Sequence, residues 1–586
     1  MVTRHDPDAA AFLQFVRTNV DTDRAYATLE RFCRVGPPGA DQLLGSPSLD
    51  RRTDLMREHL RAIGLDPHTH SFTAELHEPR SWSLRLLEPV ESGDAEELRC
   101  LPIRYSAATP PGGLTAELVD LGPGFAEDYE RVAAAGVDVR GKIVLLDNYT
   151  ILAKSRLVLA ALHGAAGAIL VSSYEHDYHG FMAGGRFAPD RALRRGGPLA
   201  DLQFPEAYRF YKFMPESLPA IPTLTLRRDT GKRLEGLLAG GATVRLRMAH
   251  QKDIRRVPAR NLWAVILGAT LPDEYIITGA HMDSYQQGAR DDVSECVRLM
   301  ETAELILRYQ KETGAPPPAR SLLFGFWTGE EASMIGSHAF LDEFRDLVAG
   351  GAVYFNGDGS AMAGGDRWVC GGSASLRALY ERVSRRVLPE GTPIEWTAPI
   401  GAASDHAPFL FEGRLPVLQR LPGWWTPVTN YHDNLTDLVD TVDRETFRRP
   451  IEALALLLHY AANEPVVPFD FTHSAAFIRD EAAPLAGGAA ALGLDLAPLL
   501  TATEEFEAAA RSFHETVGRL GAAGGDDPSR AAFLALANRL AVDTVAPRLD
   551  GLSYDTDGVM PIALPALAGL RHPDRLPDER RHDLAA

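Results

Sequence analysis

The chain has 586 residues, 45% of them hydrophobic, so it is too long for one core and should form about two to four domains. Its formal net charge of −19 argues against a nucleic-acid partner, because phosphate binding needs a basic surface. The sequence has no bilayer-spanning apolar stretch, no apolar signal core at its start and four widely separated cysteines, so we expect a cytoplasmic protein with reduced thiols and no membrane partner.

The first 96 residues are predicted to be mainly helical. Apolar residues recur at three- and four-residue spacing in AYATLERFCRV and again in DRRTDLMREHLRAIGL. Ser48 or Asp50 could cap the second of these helices, and Gly64 would end it.

Residues 97–252 have a different texture, with short β-type runs separated by glycine-rich turns. GKIVLLDNY, GAAGAILVSSY and IPTLTLRR are examples of these runs. The pattern predicts an inserted β-rich domain, within which 177–204 is expected to be an irregular excursion.

Strands and helices alternate between residues 253 and 464. The strand candidates include EYIITGAH, SLLFGFWTG and AVYFNGDG, and the helices between strands include SECVRLMETAELILRYQKE. This alternation predicts an α/β fold with a mixed, mostly parallel sheet flanked by helices on both faces. The last segment, 465–586, is predicted to be helical because EEFEAAARSFHETVGRLGA and SRAAFLALANRLAVDTVAPRL each carry an apolar stripe.

Titratable residues follow the predicted strands of the α/β segment, where an open sheet binds its ligands. They are His281 and Asp283 after the first strand, Asp291 and Asp292 at the next helix, Glu330 and Glu331, Asp358, and finally Tyr431 and His432. Taken singly, a histidine after a strand is usually a loop residue, and an aspartate at a helix start is usually a cap. Together they form a mixed nitrogen and oxygen donor set that suits zinc, and their number favours two ions sharing one carboxylate.

The adjacent pair Glu330 and Glu331 fits a hydrolytic metal centre. Such a centre needs one carboxylate on the metal and another that acts as general base. Successive side chains at a strand end point in different directions, so we assign Glu331 to the metal and Glu330 to the base. Asp283 lies two residues after His281 and is placed to accept the second ring N–H of that histidine.

Five motifs carry a resemblance to a known family. GAHMDSYQQGARDDVS, FWTGEEASMIGS, NGDG, SDHAPF and YHDNLTDLVDTVD resemble the di-zinc exopeptidases, which include bacterial zinc aminopeptidases and glutamate carboxypeptidase II. The resemblance implies two Zn²⁺ ions per chain, with this ligand set: His281 and Asp358 on one ion, Glu331 and His432 on the other, and Asp291 as the bridge. It also implies Glu330 as base, Asp283 behind His281, and Tyr431 as a donor to the oxyanion.

The resemblance extends beyond the metal motifs. The insert resembles the protease-associated domain, and the C-terminal segment resembles the helical dimerisation domain of glutamate carboxypeptidase II and the transferrin receptor. It therefore implies a homodimer with this division of the chain: a first part of the zinc peptidase domain at 1–96, the insert at 97–252, the peptidase core at 253–464, and the dimerisation-like domain at 465–586.

Departures from glutamate carboxypeptidase II bear on the substrate. Where that enzyme has an arginine that holds the substrate carboxylate, this chain has Ala153, although Lys154 or Arg156 could take its place. Ser404, Asp405 and His406 follow the bacterial aminopeptidase pattern and are further candidates for substrate binding. We therefore expect an aminopeptidase-type hydrolase of peptides or related amides.

Other functions remain open at this point. Within the hydrolases, the alternatives are a carboxypeptidase and an N-acyl-amino-acid amidohydrolase. From other classes, the alternatives are a non-catalytic binding protein like the transferrin receptor and a single-zinc glutaminyl cyclase. Because the five ligand positions and the base are all filled in this sequence, the hydrolase is favoured.

Overall fold

The computed structural model describes most of the chain. The described residues are 6–37, 39–90, 94–103, 105–124, 126–148, 153–172, 221–332, 334–359, 368–398, 404–421, 437–523, 527–545, 554–555 and 561–562. Tyr431, His432 and the predicted excursion at 177–204 lie outside them.

Within the described residues, fourteen strands form one extended sheet. They are His68–Glu88 (β1), Glu96–Leu98 (β2), Cys100–Pro102 (β3), Leu114–Gly122 (β4), Ile143–Asn148 (β5), Gly167–Ser172 (β6), Thr223–Leu226 (β7), Arg245–Ile266 (β8), Leu271–His281 (β9), Arg320–Trp327 (β10), Gly351–Asn356 (β11), Trp368–Gly372 (β12), Ile394–Thr397 (β13) and Val417–Leu421 (β14). Tyr554–Asp555 (β15) and Pro561–Ile562 (β16) form a separate pair.

The helices divide into those around the sheet and those that follow it. The first set is Asp6–Asn19 (α1), Thr22–Cys33 (α2), Pro47–Ala62 (α3), Ala126–Ala134 (α4), Ala153–Leu162 (α5), Arg228–Ala239 (α6), Ser294–Thr313 (α7), Ile335–Glu343 (α8), Arg345–Ala349 (α9), Arg377–Val387 (α10), His406–Phe411 (α11) and Arg448–Asn463 (α12). The second set is Phe471–Ala482 (α13), Ala486–Ala491 (α14), Ala497–Ala522 (α15) and Pro528–Leu540 (α16). Among the described helices, none has the length and apolar character needed to cross a bilayer.

The central part of the sheet is mixed and mostly parallel, as the sequence predicts. Strands β14, β11, β9 and β10 lie side by side and run parallel to one another, while β8 and β12 pair antiparallel to the edges of this group. Every residue of β10 and β11 is buried, because helices cover both faces. Phe12, Val297 and Leu454 belong to the core on one face, and Phe340 and Phe409 belong to the core on the other.

A long two-stranded ribbon joins this sheet to the inserted segment. Strand β1 pairs antiparallel with β8 from His68 opposite Trp263 to Glu88 opposite Arg245. One end of β8 pairs with β10, and its other end pairs with β4 of the insert. The predicted boundary at 252–253 therefore falls inside a continuous strand, because an alternating β pattern carries no signal at the point where a strand leaves one sheet region for another. The remaining division into domains stays a prediction.

Helix α3 begins earlier than the sequence analysis expects. Its N-terminal cap is Ser46, whose hydroxyl accepts a hydrogen bond from the backbone N–H of Leu49 at 3.1 Å. Pro47 then occupies the first turn, where its missing N–H costs nothing. Ser48 and Asp50 therefore lie inside the helix.

Candidate metal centre

His281 is the last residue of β9, and its ring is fixed in one orientation. The side chain is 1% exposed, and Nδ1 donates to the backbone carbonyl oxygen of Asp283 at 2.9 Å. Nε2 lies 3.1 Å from Oδ1 of Asp291. With Nδ1 occupied by a carbonyl, Nε2 is the nitrogen left to ligate a metal.

The carboxylate of Asp283 has a different partner from the one expected. It lies 3.9 Å from Nδ1 of His281, and its Oδ1 instead accepts the backbone N–H groups of Gly329 at 2.7 Å and Glu330 at 3.1 Å. The residue is fully buried, and burial raises its pKa. Asp283 therefore serves His281 through its carbonyl, while its carboxylate positions the backbone of Glu330.

Three predicted ligands from three separate segments come together. One donor atom each from His281, Asp291 and Asp358 lies within 4.8 Å of the other two. His281 ends β9, Asp291 lies in the short helical turn Ala289–Val293 before α7, and Asp358 follows β11. One imidazole and two carboxylates are donors that zinc accepts, so these residues fit the metal that the sequence indicates.

Asp292 holds two of the ligand-bearing segments together. Its Oδ2 accepts the backbone N–H of His281 and its Oδ1 accepts that of Gly359, each at 3.0 Å. The side chain is fully buried, and burial raises its pKa well above the usual value. In the sequence, Asp292 is recognisable as the second member of a carboxylate pair with Asp291, but no separate role is evident there. Asp291 is the candidate metal ligand, and Asp292 holds the backbone of His281 and Gly359 in place.

Asp437 fixes the backbone of the bridging candidate and was missed by the sequence analysis. Its Oδ1 accepts the N–H of Arg290 at 2.9 Å, and its Oδ2 accepts the N–H of Asp291 at 3.0 Å. The residue is 2% exposed, and burial raises its pKa to about 7. The available signal was its position in YHDNLTDLVDTVD, five residues after His432.

Glu330 and Glu331 are both buried at the end of β10, each 5% exposed. Gly329 turns the chain out of the strand with φ at 74°, a value that glycine adopts without steric cost. Oε2 of Glu330 lies 3.9 Å from Nε2 of His281. Burial raises the pKa of Glu330 well above its usual value, and the charge of Asp358 raises it further. A carboxylate with a raised pKa is suited to general-base catalysis near neutral pH.

The centre concentrates negative charge around one imidazole. Burial by itself would lower the pKa of His281, yet Asp292, Asp291 and Glu330 raise it well above its usual value. Several carboxylates in a site of low dielectric repel one another unless a cation lies between them. The electrostatics of this site therefore favour binding of a cation.

Arg52 is a second residue that the sequence analysis missed. It lies on the buried face of α3 and is fully buried, with burial lowering its pKa. Its guanidinium donates to the carbonyls of Met282 at 2.6 Å and Gln287 at 2.8 Å and to the hydroxyl of Ser284 at 2.9 Å. It therefore anchors the loop that follows His281. The sequence offered one signal of this role: an arginine stands on the apolar face of an otherwise amphipathic helix.

The substrate-binding candidates Ser404, Asp405 and His406 are all buried. The hydroxyl of Ser404 accepts from the amide of Asn356 at 2.8 Å, and the carboxylate of Asp405 accepts from the hydroxyl of Ser337. Burial raises the pKa of Asp405 to about 7. These bonds connect the start of α11 to the segments that carry Asp358 and Glu331. Contact of the three residues with substrate stays a prediction.

Arg156 requires a correction, because it lies in the interior of the insert and not at a substrate. The side chain is 1% exposed, and its guanidinium donates to the backbone carbonyls of Pro123 at 2.9 Å and Asp147. A buried guanidinium that stabilises backbone carbonyls is not available to hold a substrate carboxylate. Lys154 lies in α5, and its side chain falls outside the described part of the chain, as do Tyr431 and His432.

Comparisons with known proteins indicate a class of enzyme. The sequence model of Peptidase family M28 matches residues 261–458. The chain is 26% identical over 487 residues to probable glutamate carboxypeptidase VP8 of Zea mays, covering 73% of this chain and 66% of that protein. It is also 26% identical over 395 residues to probable lipoprotein aminopeptidase LpqL of Mycobacterium tuberculosis, covering 66% of this chain and 68% of that protein.

A solved structure shares the fold. The aminopeptidase from Aneurinibacillus sp. strain AM-1 superposes with a TM-score of 0.56 at 19% identity, covering 77% of this chain and 96% of that one. At this identity the likeness concerns the fold alone. The chain spans just under two thirds of the length of the maize relative.

Proposed function

We propose that this chain, whose residues 261–458 match the sequence model of Peptidase family M28, is a zinc-dependent exopeptidase that releases amino-terminal residues from peptides or related amides. The observation that carries the proposal is the convergence of His281, Asp291 and Asp358 donors within 4.8 Å, beside the buried carboxylate of Glu330. A non-catalytic binding protein would have no need for a buried base next to a metal-ligand set.

The proposed metal content is two zinc ions per chain. His281, Asp291 and Asp358 would hold one ion, and Glu331 and His432 would hold the second, which shares Asp291. The first set is supported by the distances above, and the second by the motifs of the sequence. When bound, zinc supplies a Lewis acid that polarises the scissile carbonyl and makes water easier to deprotonate.

Glu330 is proposed as the general base. Its carboxylate would accept a proton from the attacking water and deliver that proton to the nitrogen of the leaving amine. Asp283 supports this role, since its carboxylate fixes the backbone N–H groups of Gly329 and Glu330. Tyr431 is proposed to donate a hydrogen bond to the oxyanion that forms from the carbonyl.

The aminopeptidase type is proposed over the carboxypeptidase type for two reasons. A carboxypeptidase needs a cation for the terminal carboxylate, and of the two candidates Arg156 donates instead to the carbonyls of Pro123 and Asp147, which leaves Lys154. The SDHAPF motif also follows the bacterial aminopeptidase pattern. We further propose that the insert is a protease-associated domain and that the helices after residue 465 contribute to a homodimer.

The test of this function combines metal analysis with hydrolysis of a substrate panel. Zinc-loaded protein is incubated with amino-acid anilides, with their Nα-acetyl derivatives and with peptides that have blocked amino termini. We expect release of the amino-terminal residue from the free-amine substrates only. Turnover of the acetylated compounds would indicate an amidohydrolase or a carboxypeptidase. Absence of both zinc and turnover would overturn the proposal in favour of a binding protein.

A further inference from the structure

A series of buried hydrogen bonds crosses the central strands shortly before they deliver the candidate ligands. The indole N–H of Trp327 on β10 donates to the hydroxyl of Tyr354 on β11 at 3.0 Å. That hydroxyl donates to Oδ1 of Asn356 at 2.9 Å, and the amide N–H of Asn356 donates to the hydroxyl of Ser404 at 2.8 Å. We refer to these four residues as the crossing network.

The crossing network passes over β9 at a point where glycine leaves room for it. Strand β9 lies between β10 and β11, and Gly279 on β9 is the pairing partner of Gly325 on β10 and of Asn356 on β11. A Cβ atom at Gly279 would lie 2.4 Å from Nε1 of Trp327 and 2.6 Å from the hydroxyl oxygen of Tyr354. A Cβ atom at Gly325 would lie 2.1 Å from the same indole ring. The two glycines therefore provide the space in which the indole and the hydroxyl meet.

The crossing network is enclosed in the core. Trp327 and Tyr354 are completely buried, Asn356 and Ser404 are nearly so, and the ring of Phe409 stacks on that of Tyr354 at 3.9 Å. Hydrogen bonds that follow one another in an interior of low dielectric strengthen each other, and a buried polar group that loses its partner is costly. A displacement of one member is therefore resisted by all the others.

Each strand that the network crosses or joins leads directly into the metal centre. Gly279 is two residues before His281, and Asn356 is two residues before Asp358. On β10, Trp327 is three residues before Glu330. Two residues of extended chain span at most roughly 7 Å, so a change in the lateral spacing of these strands would move the donor atoms of the centre.

We propose that Tyr354 is a positioning residue for the metal centre: its hydroxyl, held between Trp327 and Asn356, keeps the ends of β9, β10 and β11 at the separation that zinc ligation requires. Through Ser404, the network also ties the start of α11 to these strand ends. The inference rests on the proposed function and adds to it a residue that acts through others. A hydroxyl that served the core alone would affect stability and leave the metal centre unchanged.

The experiment compares Tyr354→Phe with a matched buried tyrosine. Tyr354→Phe removes one oxygen atom and keeps the ring that stacks on Phe409. Tyr380 is 3% exposed, and its hydroxyl donates to the carbonyl of Trp368 at 3.1 Å, between α10 and β12. Tyr380→Phe therefore removes a buried hydroxyl away from the strands that carry the ligands. Urea denaturation of the metal-free proteins should show a loss of stability in both variants.

The metal measurements separate the two variants. Competition with a chelator of known affinity should show zinc affinity about 10-fold lower in Tyr354→Phe and unchanged in Tyr380→Phe. Protein loaded with cobalt(II) in place of zinc reports the ligand geometry through its visible absorption. That spectrum should differ from the parent's in Tyr354→Phe and match it in Tyr380→Phe.

A second break in the crossing network tests whether its members act together. Ser404→Ala removes the acceptor of the Asn356 amide and should lower zinc affinity less than Tyr354→Phe does, because the bond between Trp327 and Tyr354 remains. In the double variant the two losses should combine to less than their product, since residues of one hydrogen-bond network are not additive. If Tyr354→Phe does not fold, Ser404→Ala decides: a lowered zinc affinity supports the inference, and the parent's affinity overturns it.

The outcomes distinguish this inference from the proposed function, because zinc binding is measured without turnover. Equal zinc affinity and equal cobalt spectra in Tyr354→Phe and Tyr380→Phe, in a protein that hydrolyses anilides, would overturn the inference alone. Weakened zinc binding in Tyr354→Phe, in a protein that hydrolyses none of the substrates, would overturn the function alone. A parent protein that binds no zinc would overturn both.

Discussion

The two ends of β10 deal with buried charge in opposite ways. At its start, Arg320 is fully buried, and burial lowers its pKa, yet it donates to the carboxylate of Glu274 at 2.8 Å, to the carbonyl of Glu464 at 2.6 Å and to the side chain of Asn538 at 3.0 Å. At its end, Glu330 and Glu331 are buried among further carboxylates. Within the described part of the chain, the first end pairs its buried charge, whereas the second gathers several carboxylates around one imidazole.

The difference separates a stabilising site from a functional one. Burying a charge is costly unless it is paired and hydrogen-bonded, and the Arg320 network meets that requirement with neutral carbonyls and one carboxylate. Through Asn538 the same network also joins the sheet to α16. The carboxylates at the opposite end are fastened by backbone N–H groups, but these do not remove their mutual repulsion. A bound cation would offset that repulsion.

The largest expected effect comes from Glu330→Gln. Glutamine preserves size and hydrogen bonding but cannot take a proton, so kcat should fall roughly 10²- to 10⁴-fold while zinc content is unchanged. Anilide hydrolysis and metal analysis of the purified variant measure both quantities. Glu343→Gln, on the exposed end of α8, is the matched control and should keep full activity. Undiminished turnover in Glu330→Gln would remove the base assignment.

At the start of the strand, Arg320→Met should reduce stability and leave chemistry intact. Removal of the guanidinium leaves Glu274 and several carbonyls without their donor, so the free energy of unfolding should fall by roughly 3–5 kcal/mol. Urea denaturation measures the loss, and kcat of the folded variant should match that of the parent. Arg308→Met breaks a more exposed pair with Glu312 and should cost roughly 1 kcal/mol or less. If Arg320→Met also lowered the free energy of unfolding by only about 1 kcal/mol or less, the comparison would be contradicted.

Removal of zinc should destabilise the carboxylate-rich end of β10, at Glu330 and Glu331, and leave the Arg320 end unchanged. Zinc at about 100 times its dissociation constant would add roughly 2.7 kcal/mol to the free energy of unfolding, and this gain should disappear with a chelator. Thermal denaturation across a zinc titration measures the change. Asp358→Asn should flatten the zinc dependence, whereas Arg320→Met should retain it. A melting temperature of the parent protein that does not change with zinc concentration would show that no zinc ion binds at this site.

Asp437→Asn is expected to have the smallest effect of the four. Asparagine replaces one of the two carboxylate oxygens that accept the backbone N–H groups of Arg290 and Asp291 with an NH₂ group, so the Asp291 turn should loosen and zinc affinity should fall about 10- to 100-fold. Competition with a chelator of known affinity gives the value. Asp440→Asn, three residues later on the surface, is the control. Equal zinc affinity in the two variants would show that Asp437 has no influence on the metal site.

Much of the fold was open to prediction from sequence because its signals are local. The alternation of apolar strands and amphipathic helices predicted β9, β10, β11 and α7 as they are found. The rule that ligands gather beyond the carboxyl ends of strands then brought His281, Asp291 and Asp358 to one place, as the structure does. Spacing along the chain was sufficient for these residues, because His281 ends β9, Asp291 lies in the turn that leads from β9 into α7, and Asp358 closely follows β11.

The sequence by itself determined which chemical groups stand at the ends of the strands. The tertiary structure decided how those groups divide their work: the carboxylate of Asp283 turns to the backbone of Glu330, Asp437 reaches back to the Asp291 turn, and Arg156 is enclosed in the insert. Each of these outcomes depends on hydrogen-bond partners that are distant in sequence or on the direction of a side chain in a packed interior. Hydrogen bonds between distant residues and the direction of a buried side chain leave no periodic pattern in the sequence, so these roles became visible only in the folded chain.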